Sequence, residues 1–285
     1  MVFFRRPRLS VPVLTYHSNN VHQNTYEGND HIAFETDLRA IDRLGLRIIP
    51  LGAVVDWHRG RVPDSDVEGA VALTLDDGSW LDYHNVTHPG CGEQTGMFRL
   101  VEQFKDSLPD RSQPSLHVTS FVIASPDARE ELDRKNLIGL GWWGDDWWEA
   151  AQSSGLMSID CHSWDHNHPT LEQAAQKNNI RGNFHVIDSL EDCTSQVENA
   201  AVYIEQVTGR RPEHFAYPWG QASAYMIKQY MPKQQSRHQF RAAFSIEPKH
   251  VSKSDNVWFL PRYVCGRDWK SAQELERILL GSGSE

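Results

Sequence analysis

The run VALTLDDG, residues 71–78, largely decides how this 285-residue sequence is interpreted. Its apolar, β-branched part predicts a strand, Ala70–Leu75, and the strand ends in two adjacent carboxylates, Asp76 and Asp77. Side chains alternate along a strand, so the two carboxylates point in different directions. One of them could then bind a metal ion while the other handles protons. Asp-Gly is also a common turn pair, so the run alone leaves a functional site and a plain turn equally open.

Short apolar runs of the same kind recur along the chain with amphipathic segments between several of them, which is typical of a βα-repeating fold. The predicted strands are Val11–Tyr16, Ala70–Leu75, His117–Ile123, Met157–Cys161 and His214–Tyr217. The predicted helices are Ala33–Leu44, Asp146–Ser153 and Ser189–Thr208, the last with Gly209 as its C-cap. A polar segment from about residue 79 to 115 interrupts the repeat, and we expect an irregular insertion there.

A second strand end carries candidate metal ligands. The run SIDCHSWDH, residues 158–166, places His162 and His166 four residues apart, and neutral imidazole suits zinc and other divalent ions. The chain has 14 histidines, so about one such spacing is expected by chance. His84 and His88 show the same spacing. The context separates the two pairs, because His162 follows an apolar strand whereas His84 and His88 lie in the polar segment.

A third strand end, in the run FAYPWG at residues 215–220, combines aromatic residues with Pro and Gly. Such a sequence forms a rigid wall with an exposed backbone, although by itself it is more often an ordinary turn. In βα barrels the catalytic groups lie on the loops that follow the strands, so residues remote in sequence converge at one face. The coincidence of three suitable strand ends is the main indication of a hydrolytic metal site.

The composition excludes several other classes of function. The formal net charge is −10, and no basic stripe is present to bind nucleic acid or an anionic membrane. The four cysteines are scattered, which predicts free thiols, and no apolar run is long enough to span a bilayer. The first residues lack the continuous apolar core of a signal peptide, so we expect a cytoplasmic protein, or an extracytoplasmic one if a leader has been removed. The final GSGSE predicts a flexible tail.

Three runs of the sequence together resemble the first three signature motifs of the polysaccharide deacetylases, carbohydrate esterase family 4. In this order they are LTLDDG at 73–78, HSWDH at 162–166 and AYPWG at 216–220. The likeness extends to VPVLTYHS at 11–18 and TSFVI at 119–123, and covers about residues 10–270. It implies a distorted (β/α) barrel of about seven strands, forming a single domain over residues 10–275. It also implies an acetylated glycan as substrate and a divalent metal, Zn²⁺ above all, as cofactor.

The resemblance also implies roles for individual residues. Asp77, His162 and His166 would bind the metal, and Asp76 would be the general base. A backbone N–H after Pro218, that of Trp219, would stabilise the oxyanion. The residues expected around the substrate and the oxyanion are Tyr217, Pro218, Trp219, Gly220 and Arg262.

Two features depart from the usual family pattern. Many members have an arginine in the third motif that orients the base, where this chain has Ala216; Arg262, in FLPRYV at 259–264, is either its substitute or part of a structural salt bridge. The usual late Leu-x-His motif, which supplies the general acid, is not visible. VPVLTYHS resembles the start of the circularly permuted branch that removes N-acetyl groups from poly-N-acetylglucosamine, in which the early histidine is the acid. This assigns the acid role to His17, with a buried structural histidine as the alternative.

These motifs predict the removal of acetyl groups, first of all the N-acetyl groups of amino sugars. The alternatives are an O-acetyl esterase or small-amide hydrolase on the same fold, a carbohydrate-binding protein that has lost activity, and a separate metal site at His84 and His88. The run GWWGDDWW, residues 141–148, either packs in a core or stacks on sugar rings, and packing is the commoner use. We expect Trp142, Trp143 or Trp147 to contact glycan and Trp148 to be core. The sequence does not predict the oligomeric state.

Overall fold

The computed structural model describes residues 9–109 and 112–281. The strands are β1 (Ser10–Val11), β2 (Val13–Tyr16), β3 (Arg47–Ile48), β4 (Ala70–Asp77), β5 (Val86–His88), β6 (Gly92–Gln94), β7 (Val118–Val122), β8 (Met157–Cys161), β9 (His214–Ala216), β10 (Ala242–Phe244), β11 (Val251–Ser252) and β12 (Tyr263–Val264). The α-helices are α1 (Asp30–Arg43), α2 (Leu51–His58), α3 (Met97–Ser107), α4 (Pro126–Asn136), α5 (Trp148–Ser153), α6 (Leu190–Cys193), α7 (Asn199–Thr208), α8 (Met231–Lys233), α9 (Gln235–His238) and α10 (Ala272–Leu279). Residues 1–8, where a signal peptide was sought, and residues 282–285 of the predicted tail lie outside the described part of the chain.

Seven parallel strands form one curled sheet in the order β10-β9-β8-β7-β4-β2-β12, and β3 pairs beside the start of β4. The two ends of the sheet approach each other through Leu260, which precedes β12 and forms a parallel bridge with Phe244 of β10. The predicted distorted (β/α) barrel in a single domain is therefore confirmed. None of the described helices is long and apolar enough to cross a bilayer.

The predicted strands all appear, with small changes at their ends. Val11–Tyr16 divides at Pro12, which has no N–H to donate to a ladder: β1 pairs antiparallel with β11, while β2 enters the barrel beside β4. The first predicted helix begins three residues earlier than expected, because the side chain of Asn29 caps it by accepting the N–H of His31. The four cysteines are free, as predicted.

The long predicted helix Ser189–Thr208 is also present. The side chain of Ser189 caps its start, a π-turn at Thr194–Glu198 joins α6 to α7, and Gly209 ends it with a left-handed φ of 70°. The predicted helix Asp146–Ser153 is shorter in the structure than expected, because it begins only at Trp148.

The prediction of an irregular insertion over residues 79–115 is wrong for its second half. The segment holds the hairpin β5–β6 and then α3, an ordinary barrel helix that connects β4 to β7. Helix α3 buries an apolar face in the core, formed by Met97, Phe98, Leu100, Val101 and Phe104. This spacing is helical, but the polar residues on either side of it obscured the pattern in the sequence. The departure from the βα repeat therefore covers only residues 79–96.

The alternation of side chains along the strands divides the core into two parts. On β4, Val71, Leu73 and Leu75 pack against the helices outside the barrel. The neighbouring Ala72 belongs to a second cluster inside the barrel, together with Phe121, Ala216 and Phe244. By the same alternation Asp76 faces the interior, which places a carboxylate at the upper end of the barrel, where the parallel strands finish.

A buried carboxyl group joins α1 to the end of β2 and to the segment that follows β12. Asp37 accepts hydrogen bonds from the Tyr16 hydroxyl at 2.9 Å, the Tyr26 hydroxyl at 2.6 Å and the indole N–H of Trp269 at 3.1 Å. Burial raises the pKa of Asp37 to about 7, although the three donors favour the ionised form. This cluster therefore contains a group that takes up a proton more readily in the folded protein than in the unfolded chain.

Replacing Asp37 by Asn should reduce the pH dependence of stability. An unfolded aspartate titrates near pH 4, so the folded state holds the proton more tightly between about pH 4 and 7, and the free energy of unfolding decreases as the pH rises through this interval. In urea titrations near pH 5 and near pH 8, the variant should lose less stability between the two conditions than the wild type, the difference being up to a few kcal/mol. The exposed Asp106→Asn is the control and should retain the wild-type dependence. An unchanged dependence in Asp37→Asn would contradict the raised pKa.

Candidate metal centre

Three loops at the upper end of the barrel carry residues in the left-handed backbone region. They follow β4, β8 and β9, and the φ angles are 79° at Asp77, 62° at His166 and 52° at Trp219. Residues other than glycine rarely adopt such angles, and where they do the surrounding structure compensates for the strain. The chain thus turns back sharply just after each strand, over the upper opening of the barrel.

Two glycines allow these turns to pack closely. A Cβ atom at Gly78 would lie 2.8 Å from the backbone of Val122, and one at Gly220 would lie 2.8 Å from the backbone nitrogen of Ile246. Both glycines also have positive φ angles. Any side chain at either position would therefore displace the neighbouring strand end.

The three predicted metal ligands come together at this opening. The Oδ1 atom of Asp77 lies 3.7 Å from Nε2 of His162 and 3.8 Å from Nε2 of His166. These distances are too long for hydrogen bonds, so the three atoms do not satisfy one another. Within residues 9–109 and 112–281, this is the only set of three histidine, cysteine or acidic side chains whose ligand atoms lie within 4.8 Å of one another.

The two imidazoles are suited to metal coordination. His162 Nδ1 lies 2.9 Å from the carbonyl oxygen of Ala216 and must donate to it, which leaves Nε2 with a free lone pair. Burial lowers the pKa of His162, and that of His166 well below its ordinary value, so both rings are neutral near pH 7. Two neutral imidazole nitrogens and one carboxylate oxygen are a donor set that fits zinc or a similar divalent ion.

The other predicted histidine pair does not form such a set. His84 Nε2 lies 3.7 Å from a carboxylate oxygen of Asp146, and the His84 ring is in contact with Trp80. His88 Nδ1 accepts the backbone N–H of Gly90. Neither residue belongs to a group of three candidate ligands in the described chain.

The other carboxylate of the first motif, Asp76, is held by Arg262. Both side chains are buried, and the guanidinium donates to the two carboxylate oxygens at 2.7 and 2.8 Å. Burial alone would raise the pKa of Asp76, but the charge and the hydrogen bonds of Arg262 hold it below its ordinary value. Asp76 is therefore an ionised carboxylate, and its Oδ2 atom lies 4.0 Å from Nε2 of His162.

Arg262 also donates to Thr74 Oγ1 and to the carbonyl of Ser245, each at 3.1 Å. Because it is completely buried, its predicted place around the substrate and oxyanion is wrong. The contact with Asp76 agrees instead with the alternative considered from the sequence, in which Arg262 orients the base in place of an arginine at position 216.

Tyr217 is a second correction to the residues expected around the substrate. Its ring is fully buried, and its hydroxyl donates to the carbonyl of Trp258 at 2.9 Å, so it cannot reach a substrate. Pro218 is buried as well. Trp219 and Gly220 do line the cleft beside the three ligands, and the Trp219 ring packs on His166 with a centroid distance of 4.4 Å.

The cleft has a volume of about 490 Å³. Its walls include His17, Asn19 and His22 from the loop after β2, and Leu132, Trp143 and His168 on other loops and helices. His17 is half-buried, and its backbone N–H donates to Asp30 at 2.8 Å, which fixes the start of the loop. The structure thus brings His17 into the same cleft as Asp76, Asp77 and the two histidines.

Sequence reasoning missed two polar residues that support this site. Asn19 donates from Nδ2 to Asp77 Oδ2 at 3.1 Å, which orients the carboxylate from the oxygen that does not face the histidines. Asp82 accepts hydrogen bonds from Ser18 and Ser120, and burial raises its pKa to about 7. Only the position of Asn19, two residues after His17, could have indicated its role. The contacts of Asp82 depend on three segments that meet only in the fold.

The tryptophan-rich segment is mostly core. Trp147 is only 1 % exposed and stacks on Tyr83, so the prediction that it contacts glycan is wrong, and Trp148 is fully buried as predicted. Trp143 is 6 % exposed and lines the cleft, where its indole N–H donates to the backbone carbonyl of Asp77 at 3.1 Å. Trp142 is 9 % exposed and packs with apolar residues of the preceding segment.

Solved structures share this fold. The deacetylase PplD of Streptococcus pyogenes, in complex with acetate, is 16 % identical, with 96 % of this chain and 99 % of that chain covered and a TM-score of 0.63. IcaB from Ammonifex degensii is 16 % identical, with coverages of 95 % and 97 % and a TM-score of 0.62. A de-N-acetylase from Aggregatibacter actinomycetemcomitans is 16 % identical, with coverages of 93 % and 98 % and a TM-score of 0.60.

At these identities the structural likeness establishes the fold alone. No curated protein sequence matches the chain. The family model described as polysaccharide deacetylase matches residues 64–236, which is more than half of the chain and includes the ends of β4, β8 and β9. The chain therefore belongs to the polysaccharide deacetylase family.

Proposed function

We propose that this protein is a metal-dependent hydrolase that removes N-acetyl groups from the amino sugars of a polysaccharide or oligosaccharide. The observation that carries the proposal is the convergence of Asp77, His162 and His166, three unpaired ligand atoms at the upper opening of a polysaccharide deacetylase barrel. A divalent ion bound there, for which zinc suits the donor set, would supply Lewis acidity beside the acetyl carbonyl. The preference for N-acetyl groups rests on the early position of His17 and on the named activity of the de-N-acetylase with the same fold.

The residues around the three ligands can provide the remaining chemistry. Asp76 is ionised and fixed by Arg262, so it can accept a proton from the attacking water without having to be reoriented. The backbone N–H of Trp219, on the loop after β9, is proposed to donate to the oxyanion that develops on the acetyl group. The Trp143 face of the cleft offers an apolar wall for the acetyl methyl group or a sugar ring.

His17 is proposed as the general acid. When the tetrahedral intermediate collapses, an amine must leave with a proton, because expulsion of an unprotonated nitrogen is unfavourable near neutral pH. An alkoxide that leaves from an ester needs this help less. Histidine suits the role because its unperturbed pKa of about 6.5 allows it to donate near neutral pH, and His17 lines the same cleft as His162, His166 and Trp219.

We predict one divalent ion per chain, bound by Asp77, His162 and His166. His162→Ala and His166→Ala should each lose the metal, because two remaining protein ligands hold a divalent ion weakly. The matched control is His84→Ala, a histidine outside any group of three ligands, which should retain the metal. Elemental analysis of the purified variants measures this directly, and chelation should abolish turnover. Full metal occupancy in His162→Ala would refute the assignment.

The two carboxylates of the first motif should separate into a base and a ligand. Asp76→Asn should keep the metal but lower kcat by about 10²-fold or more, the usual scale for the loss of a general base. Asp77→Asn should instead weaken metal binding. The Asp76 variant leaves the buried Arg262 without its ionic partner, so a thermal melt must accompany the kinetics to confirm that the protein is folded. The opposite pattern, metal loss in Asp76→Asn and retention in Asp77→Asn, would exchange the two roles.

Removal of the proposed acid should affect amides more than esters. His17→Ala should leave folding and metal content unchanged but lower kcat on an N-acetylated sugar by on the order of 10²-fold, with a smaller loss on an activated acetyl ester. His22→Ala, in the same loop and the same cleft, is the comparison variant and should not discriminate between the two substrates. If His17→Ala were as active as the wild type on amides, the acid would have to be another histidine of the cleft, for which His168 is the candidate.

A further inference from the structure

The buried carboxyl group of Asp82 connects separate parts of the barrel. Asp82 ends the short turn that follows the first motif, and it is fully buried. Its two oxygens accept hydrogen bonds from different segments: Oδ1 from the hydroxyl of Ser18, on the loop after β2, and Oδ2 from the hydroxyl of Ser120, in β7, at 2.6 Å. A buried carboxyl group is unfavourable unless such donors satisfy it. The carboxyl group therefore holds Ser18 at a fixed place relative to β7.

A second contact extends this link to the loop that carries the metal ligand Asp77. Ser18 Oγ lies 3.0 Å from Ser79 Oγ. A serine hydroxyl has one proton, and that of Ser18 is donated to Asp82, so Ser79 must be the donor to Ser18. Ser79 comes two residues after Asp77, and its Oγ also accepts the N–H of Leu81 at 3.3 Å. The hydroxyl of Ser18 therefore connects the loop after β2 to the loop after β4.

The main chain around Ser18 is anchored as well. The N–H of His17 and the side-chain amide of Asn20 donate to the two oxygens of Asp30, at 2.8 and 2.7 Å. The carbonyl oxygen of Ser18 lies 2.8 Å from Nε2 of His31. The main chain is thus fixed both before and after the Cα atom of His17.

The imidazole of His17 has no such support of its own. It makes no hydrogen bond with another described residue, and it lines the same cleft as the three metal ligands. A general acid must come within hydrogen-bond distance of the leaving nitrogen, so the position of this ring depends on the main chain that carries it. We infer that Ser18, held by Asp82, is a positioning residue that keeps His17 where its imidazole can protonate the leaving amine. The inference rests on the proposed deacetylation.

Replacement of Ser18 by Ala tests the inference, with Ser120→Ala as the matched variant. Each change removes one hydroxyl from the same buried carboxyl group, so both variants should lose similar stability in a thermal melt. Only Ser18→Ala releases the loop of the proposed acid. Its kcat on an N-acetylated sugar should fall roughly tenfold, because a small displacement of a catalytic group slows the reaction strongly, while KM and metal content stay as in the wild type. Ser120→Ala should lose much less turnover.

A double-mutant cycle determines whether the loss passes through His17. In the His17→Ala background, Ser18→Ala should cost little further turnover, because the effects of residues that act through one another are not additive. A further loss of the same size there, or equal losses in Ser18→Ala and Ser120→Ala, would overturn the inference. Loss of metal from Ser18→Ala would also overturn it, since the effect would then pass through Asn19 to Asp77.

Substitutions of Asp82 test the same contact from its other partner, and they apply even if Ser18→Ala does not fold. Asp82→Asn keeps an oxygen that can accept from Ser18, so it should retain most of the turnover. Asp82→Leu has a similar volume but no acceptor, and it should reproduce the loss. Equal turnover in the two Asp82 variants would contradict the inference.

The position of the His17 ring can also be followed without turnover, which separates this inference from the proposed function. In an NMR spectrum of isotope-labelled histidines, the His17 signal is the one that is missing from His17→Ala. It should shift in Ser18→Ala and much less in Ser120→Ala. An unchanged signal in Ser18→Ala would overturn the inference while leaving the deacetylase function intact. A wild type that hydrolyses no acetylated sugar would refute the function and, with it, the acid role of His17, even if the signal shifts.

Discussion

The ion pair between Asp76 and Arg262 joins the centre of the sheet to its last strand. Asp76 belongs to β4, and Arg262 directly precedes β12, 186 residues later in the chain. Both charges are buried, and removal of either partner would leave the other uncompensated, which typically costs several kcal/mol. The buried charge of Asp76 is therefore compensated only when the C-terminal segment that carries Arg262 is in place. The same contact orients a carboxylate at the upper opening, so completion of the fold and preparation of the site are one event.

Around this pair the interior of the barrel is arranged in levels. The uppermost level holds the carboxylates and imidazoles of the three loops, and the Arg262 guanidinium lies on the Phe121 ring, 5.1 Å from its centroid. Below it, Phe121, Phe244 and small residues such as Ala72 fill the middle. The lowest level is polar again and contains the Asp160–His214 pair. Aromatic rings thus separate two polar regions within a single barrel.

Local patterns predicted the features that depend on neighbouring residues. The ends of β4, β8 and β9 could be found because apolar runs stop close to them, and parallel strands bring their ends to one face. Burial was harder to predict. Trp147 and Tyr217 carry side chains that suit a cleft, yet both are in the core. Their neighbours are remote in sequence: Tyr83 stacks on Trp147, and Trp258 and Phe259 contact Tyr217. Helix α3 was hidden by its polar surroundings. The partners of Asp37 and Asp82 come from separate segments, and nothing local in the sequence identifies them.

The aromatic layer of Phe121 and Phe244 has a consequence for how the two ends of this barrel can diverge. Among the described residues, the Asp160–His214 pair makes no hydrogen bond or ion pair with Asp76, Asp77, His162 or His166, so a substitution of this pair removes no direct contact of the metal centre. The lower end can therefore accumulate changes in charge and shape while the chemistry above it stays the same. In engineering terms, a new binding property could be introduced at the lower end of the barrel without redesign of the catalytic end.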